Sequence, residues 1–125
     1  MIQVIATSHA PKAIGPYSQA LVHNGIVYVS GQIPFIPETG ELVTGSITEQ
    51  TNQVLKNISA ILKEAGTELN NVIKTTVYLK DMNDFDEMNK AYGEHFSNNK
   101  PARATVQVAR LPKDVSIEID AISAI

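Results

Sequence analysis

Arg103 and Glu118 are the residues whose types and places in the chain point most directly to chemistry. Each lies in a run that alternates as a strand does. From Lys100 to Val108, residues Ala104, Val106 and Val108 oppose Arg103, Thr105 and Gln107; from Val115 to Ile122, residues Val115, Ile117, Ile119 and Ala121 oppose Ser116, Glu118 and Asp120. If helices cover the apolar faces, Arg103 and Glu118 share the opposite face of the sheet. Strands are about 4.8 Å apart, so two long side chains there can address one small ligand. The chain has eight lysines but only two arginines, both in this stretch. A guanidinium fork binds a carboxylate bidentately, as an ammonium cannot, so an arginine at a strand start reads as an anion anchor. An Arg–Glu ion pair that merely satisfies two charges on a half-buried sheet fits the same spacing.

Around this pair stand the hydroxyls of Tyr17, Ser30 and Thr105, all at loop or strand ends. Such a set can anchor a carboxylate, hold a water and move one proton; it cannot do redox chemistry unaided. The other candidates are weaker. His9, His23 and His95 share no spacing that would make a metal cluster or a Ser/His/Asp arrangement. Gly31 has no companion glycines, so no phosphate-cradling fingerprint exists. Asp81, Asp84, Asp86 and Glu87 fit the first turn of a helix, where the macrodipole favours acidic residues. Neither a metal nor a cofactor is expected.

The elements that position these residues follow from the order of the chain. Met1 to Ala6 reads as a short strand, followed by a loop punctuated by Pro11, Gly15 and Pro16. Ser18 to Val22 and Ile26 to Ser30 flank Asn24-Gly25, the dipeptide of a type I′ turn, which predicts a β-hairpin. Pro37 to Gly40 forms a turn. Ser46-Ile47-Thr48-Glu49 has capping-box spacing and opens a helix whose apolar stripe runs from Ile47 to Ala65, with Gly66 as its terminator. Val72 to Lys80 alternates as a strand, and Asn83 is placed to cap a second helix with Phe85, Met88, Tyr92 and Phe96 on its buried stripe. The expected fold is α+β: one sheet with two helices on one face. The uncovered face is expected to carry Tyr78, Arg103, Thr105, Gln107 and Glu118, a mixture suited to burial against copies of the same chain.

Composition limits the function classes. The 125 residues are 43% hydrophobic and 18% charged, which fits a single domain, residues 1–125, with one core. A net charge of -3 without a basic block argues against nucleic acid as the main ligand. The absence of cysteine excludes disulfides, thiolate metal sites and cysteine nucleophiles. No apolar run approaches the roughly 20 residues needed to span a bilayer, and the start of the chain lacks a signal pattern, so a cytoplasmic setting is expected.

Several stretches carry a resemblance that nearly spans the chain. Ile14-Gly15-Pro16-Tyr17-Ser18, Ser30-Gly31-Gln32-Ile33-Pro34, Lys80 to Phe85, Pro101-Ala102-Arg103 and Val108 to Val115 closely resemble the reactive intermediate deaminase (Rid or YjgF) family, in particular its RidA subgroup. The resemblance implies a chorismate-mutase-like α+β fold with a mixed six-stranded sheet. It implies a homotrimer with sites between subunits, and hydrolysis of 2-iminobutanoate and 2-iminopropanoate to 2-oxo acids and ammonia without cofactor or metal. Arg103 matches the arginine that binds the substrate carboxylate, Glu118 the carboxylate that activates water, and Tyr17, Ser30 and Gly31 the remaining site residues. Thr105 stands where RidA members commonly have cysteine, lining the pocket with a hydroxyl instead of a thiol. The alternative is a non-enzymatic trimer that binds small carboxylates or acts in regulation; a nuclease fits the charge poorly, and chorismate-mutase chemistry has only fold analogy behind it.

Overall fold

The computed structural model describes all 125 residues, and its framework is one six-stranded sheet. In chain order the elements are β1 (Gln3–Ile5), β2 (Ala20–His23), β3 (Ile26–Gln32), β4 (Phe35–Ile36), β5 (Glu41–Leu42), α1 (Ile47–Glu64), β6 (Val72–Leu79), α2 (Phe85–His95), β7 (Ala102–Gln107) and β8 (Ile117–Ala124). The sheet order is β1-β2-β3-β8-β6-β7, and β4 and β5 form a separate two-stranded hairpin. All neighbours in the large sheet are antiparallel except β6 and β7, which α2 connects as a parallel crossover. The expected α+β architecture, two helices on one face of a mixed six-stranded sheet, is therefore present. No helix is long and apolar enough to cross a membrane.

Local signals set several elements. Asn24 and Gly25 both take positive φ, 52° and 76°, as the two centres of a type I′ turn require. At the start of α1 the Ser46 hydroxyl accepts from the Glu49 amide at 3.1 Å while the Glu49 carboxylate accepts from the Ser46 amide at 3.4 Å, a reciprocal capping box. Gly66, at φ 86°, follows the Ala65 C-cap and ends the helix in the left-handed conformation. The core lies between sheet and helices, with Val54, Leu55, Ile58, Ile61 and Leu62 of α1 and Met88 and Tyr92 of α2 packed over Val27, Val77, Leu79, Ile117 and Ile119. Each such fully buried aliphatic side chain contributes roughly 1.5–3 kcal/mol relative to exposure.

One expectation about a helix end is corrected, and another, the acidic first turn of α2 at Asp86 and Glu87, is present with an added role. Asn83 does not cap α2: Asp81 accepts from the Asn83 amide at 2.8 Å and starts a 3₁₀ turn, Met82–Asp84, after which α2 begins at Phe85, one residue later than a cap at Asn83 would place it. Glu87 does more than complement its own helix dipole. Its carboxylate accepts from the Thr48 amide at 3.1 Å and the Thr48 hydroxyl at 2.9 Å, tying α2 to the first turn of α1.

Candidate active site

Glu118 lies on β8, in the middle of the sheet between β3 and β6, and its side chain projects from the face without helices. It is half-buried, and no protein donor hydrogen-bonds its carboxylate within the chain. Beside it β3 bulges: Val29 pairs with Ala121 and Gln32 with Ile119, so Ser30 and Gly31 together oppose a single residue. The Glu118 carboxylate lies against Gly31 where a Cβ would otherwise stand, so any larger residue at 31 would collide with it. Burial raises the pKa of Glu118 above the ordinary glutamate value, and the nearby charge of Asp120 adds to the shift. Asp120, on the same face, accepts a hydrogen bond from the Tyr78 hydroxyl at 3.0 Å.

The loop from Thr7 to Ser18 brings Tyr17 to this region, and a buried glutamine holds the loop in place. Gln19 accepts from the Thr7 amide at 2.7 Å and donates to the carbonyls of Thr7 at 3.0 Å and Pro11 at 2.8 Å. The Ser30 hydroxyl donates to the Ser18 carbonyl at 2.6 Å, so its proton is committed to the same fastening and its oxygen is left to accept only. Tyr17 is exposed, and its hydroxyl accepts from the Ile14 amide at 3.3 Å, which leaves its proton free to donate. Tyr17 and Gly31 line one cavity of about 260 Å³ together with Lys12 and Lys113.

Arg103 lies elsewhere. Its register partner on β6 is Thr75, whereas Tyr78 of β6 pairs with both Glu118 and Val106. Thr75 is buried beneath the helices and hydrogen-bonded to the Tyr92 hydroxyl at 2.6 Å. Odd-numbered positions of β7 therefore face α2, and the guanidinium of Arg103 sits over the rings of Tyr92 and Phe85, 4.8 Å and 5.6 Å from their centroids. Thr105 is on the same side, its hydroxyl oxygen buried without a hydrogen-bond partner.

The expectation that Arg103 and Glu118 share one face of the sheet is thus corrected: within one chain they are on opposite faces. Arg103, Thr105 and Gln107 also leave the uncovered-face set, and Ala104 and Val106 replace them, Val106 being 43% exposed. The reason lies in the edge position of β7. The covered side there offers aromatic rings, which suit a guanidinium, and the open face is apolar enough to take alanine and valine. Val4, Leu21, Tyr28 and Ile122 run across that face in register, and Val4 and Tyr28 are large and exposed. The Arg–Glu ion pair is likewise absent, since Arg110–Asp114 is the one salt bridge in the chain.

Sequence reasoning grouped Tyr92 with the core and did not single out Phe85, Gln19, Asp120 or Lys113 for the site. Asp120 was legible, since it stands two positions from Glu118 on one strand face. The others are brought to the site by tertiary packing.

A mixed sheet with this order and this helical layer, bearing a half-buried carboxylate over a glycine bulge and an arginine stacked at the edge strand, defines a chorismate-mutase-like α+β protein. The family model described as Endoribonuclease L-PSP matches residues 7–125, and the chain belongs to that family, which is the Rid or YjgF family. A RutC family protein of Pyrococcus horikoshii is 60% identical over 123 residues, covering 98% of each chain. The human 2-iminobutanoate/2-iminopropanoate deaminase is 51% identical over 121 residues, covering 97% of this chain and 88% of that one. A Rid-family protein structure from Yersinia pestis superposes with a TM-score of 0.98 at 48% identity, covering all of both chains.

Proposed function

We propose that the protein is a 2-imino acid deaminase, hydrolysing 2-iminobutanoate and 2-iminopropanoate to the 2-oxo acids and ammonia. The observation that carries the reading is that Glu118, half-buried with a raised pKa over Gly31, is poised as a base with no protein donor occupying it. The similarity to the human deaminase supports the substrate class. Because Arg103 faces away from Glu118 within one chain, the pair can meet at one ligand only between copies. A homotrimer closed through the apolar open face supplies that arrangement: Glu118, Gly31, Ser30 and Tyr17 of one copy, Arg103 and Thr105 of the next.

Arg103 fixes the substrate carboxylate with its fork, while its face rests on the aromatic rings. Glu118 takes a proton from water as the oxygen adds to C2 of the imine, and the protonated carboxyl returns it to nitrogen. As the tetrahedral carbinolamine collapses, Glu118 relays its hydroxyl proton to the nitrogen, the C2–N bond breaks, and ammonia leaves a 2-oxo acid. One water enters, one ammonia departs and no electrons change hands, so the chemistry calls for no cofactor. Tyr17 donates to the substrate, and Thr105 supplies its unpartnered hydroxyl to the pocket wall.

The test is release of 2-oxo acid from 2-iminobutanoate generated in the cuvette, compared with the spontaneous rate. Acceleration by the wild type, lost in Arg103→Ala and Glu118→Ala, is the expected result. A folded trimer that leaves the spontaneous rate unchanged would instead be a small-carboxylate binder.

A further inference from the structure

The cavity beside Gly31 contains charges that the deamination of a small imino acid with a neutral side chain, called neutral below, does not use. Its lining includes Tyr17 and Gly31, and its only charged side chains are Lys12 and Lys113. Neither lysine has a carboxylate within ion-pair distance. The charge acting on Glu118 is that of Asp120, so these ammonium groups are not there to tune the base. At about 260 Å³ the cavity falls just below the usual range for small-molecule sites, which suits a ligand of few atoms.

The loop that presents Lys113 is strained. Lys113 and Asp114 are consecutive non-glycine residues in the left-handed region, at φ 58° and φ 56°. The surrounding contacts hold them there. Arg110 grips Asp114 bidentately, Nε to Oδ1 at 2.7 Å and Nη2 to Oδ2 at 3.1 Å. The Asp114 amide donates to the Leu111 carbonyl at 3.0 Å, and buried Leu111 and Val115 anchor the loop on either side. A turn that keeps two side-chain-bearing residues where glycine would be easier marks a position whose side chain is needed. Lys12 is similarly placed by an ordered neighbour, because Gln19 holds the Pro11 carbonyl.

Resting on the deaminase reading, we infer that the site accepts imino acids carrying a second anionic group on the side chain, held by Lys113 with Lys12 beside it. Arg103 of the adjoining copy takes the carboxylate next to the imine, and the two lysines take the distal one. The hydrolysis is unchanged: water adds at C2, the C2–N bond breaks, and the products are a dicarboxylic 2-oxo acid and ammonia.

The experiment compares 2-iminosuccinate and 2-iminoglutarate with 2-iminobutanoate, each produced in place by an amino-acid oxidase and followed as oxo acid over the spontaneous rate. In wild type the dicarboxylic imines are turned over with kcat/KM at least equal to that of the neutral one. Lys113→Met lowers the dicarboxylic-to-neutral ratio about tenfold, the size of one lost charge-assisted contact, chiefly through KM, and Lys113→Arg keeps the ratio. An unchanged ratio in Lys113→Met, or acceleration confined to the neutral imine, overturns the inference. Calorimetric titration of wild type and Lys113→Met with 2-oxoglutarate and 2-oxobutanoate separates the two readings. Lysine-dependent preference for 2-oxoglutarate, with no imine hydrolysed, would leave the anion subsite standing and remove the deaminase; equal affinity for both acids would remove the subsite.

Discussion

The two faces of the sheet treat charge in opposite ways. On the helix side of β7, Arg103 is stacked on Tyr92 and Phe85, a surface that stabilises a cation and directs it. On the open face, Glu118 is half-buried beside Asp120, an environment that disfavours its charge. On the proposed mechanism the first region binds and the second exchanges a proton. The sheet lies between them, so one chain does not bring Arg103 to Glu118. The difference teaches that, if the proposed deaminase mechanism holds, assembly is part of the chemistry, because a second copy must bring the arginine to the carboxylate.

The largest expected effect comes from disturbing the base. In Gly31→Ala the new methyl group would occupy the position of the Glu118 carboxylate. Displacing a general base costs about two to four orders of magnitude, so kcat/KM for 2-iminobutanoate should fall by that range while circular dichroism stays native. A change within threefold would mean that Glu118 is not held where it must act.

On the binding side, Arg103→Lys keeps the charge but loses the fork. Losing one charge-assisted hydrogen bond costs about 1.5–3 kcal/mol, or roughly 10- to 100-fold in kcat/KM, expressed mainly in KM. A fall in kcat alone would contradict the division of labour between the two faces.

The electrostatic setting of Glu118 predicts pH dependence. On the proposed mechanism activity requires the ionised carboxylate, so kcat/KM rises with pH through a pKa above the ordinary glutamate value. Asp120 opposes that ionisation, so Asp120→Asn moves the rising limb to lower pH. Stability carries the matching sign. A raised folded-state pKa stabilises the fold below the unfolded value of about 4.3, and that contribution is lost as pH rises through the folded value. Glu118→Gln should therefore melt above the wild type at neutral pH and lose that advantage in acid.

The smallest effect lies outside both regions. Ser46→Ala removes the capping box of α1 and should cost about 1 kcal/mol in denaturant unfolding, with kcat/KM unaltered.

These regions also differ in how far the sequence revealed them. Local chemistry was readable: Asn24-Gly25 specified its turn, Ser46 and Glu49 their cap, and Gly66 the helix end, because each acts within a few residues. Glu118 and its face were readable because β8 is central and strictly alternating, with buried odd-numbered positions. Arg103 was found as a residue but placed on the wrong face. Alternation divides a strand into two faces without saying which one the helices cover, and on an edge strand hydrophobicity does not decide it. Gln19, which orders the loop carrying Tyr17, joins residues 8 to 12 positions apart, and Lys113 depends on a left-handed turn that no local pattern marks.

The central claim is that the binder and the base come from different copies, and mixing two inactive variants tests it most directly. Arg103→Ala and Glu118→Ala are co-refolded in equal amounts and assayed with 2-iminobutanoate. If sites form between copies of a closed ring, half of the arginines and half of the glutamates are intact independently, so about a quarter of wild-type activity returns. If the mixture stays as inactive as either variant alone while mixed trimers are present, both residues act within one chain and the account is contradicted.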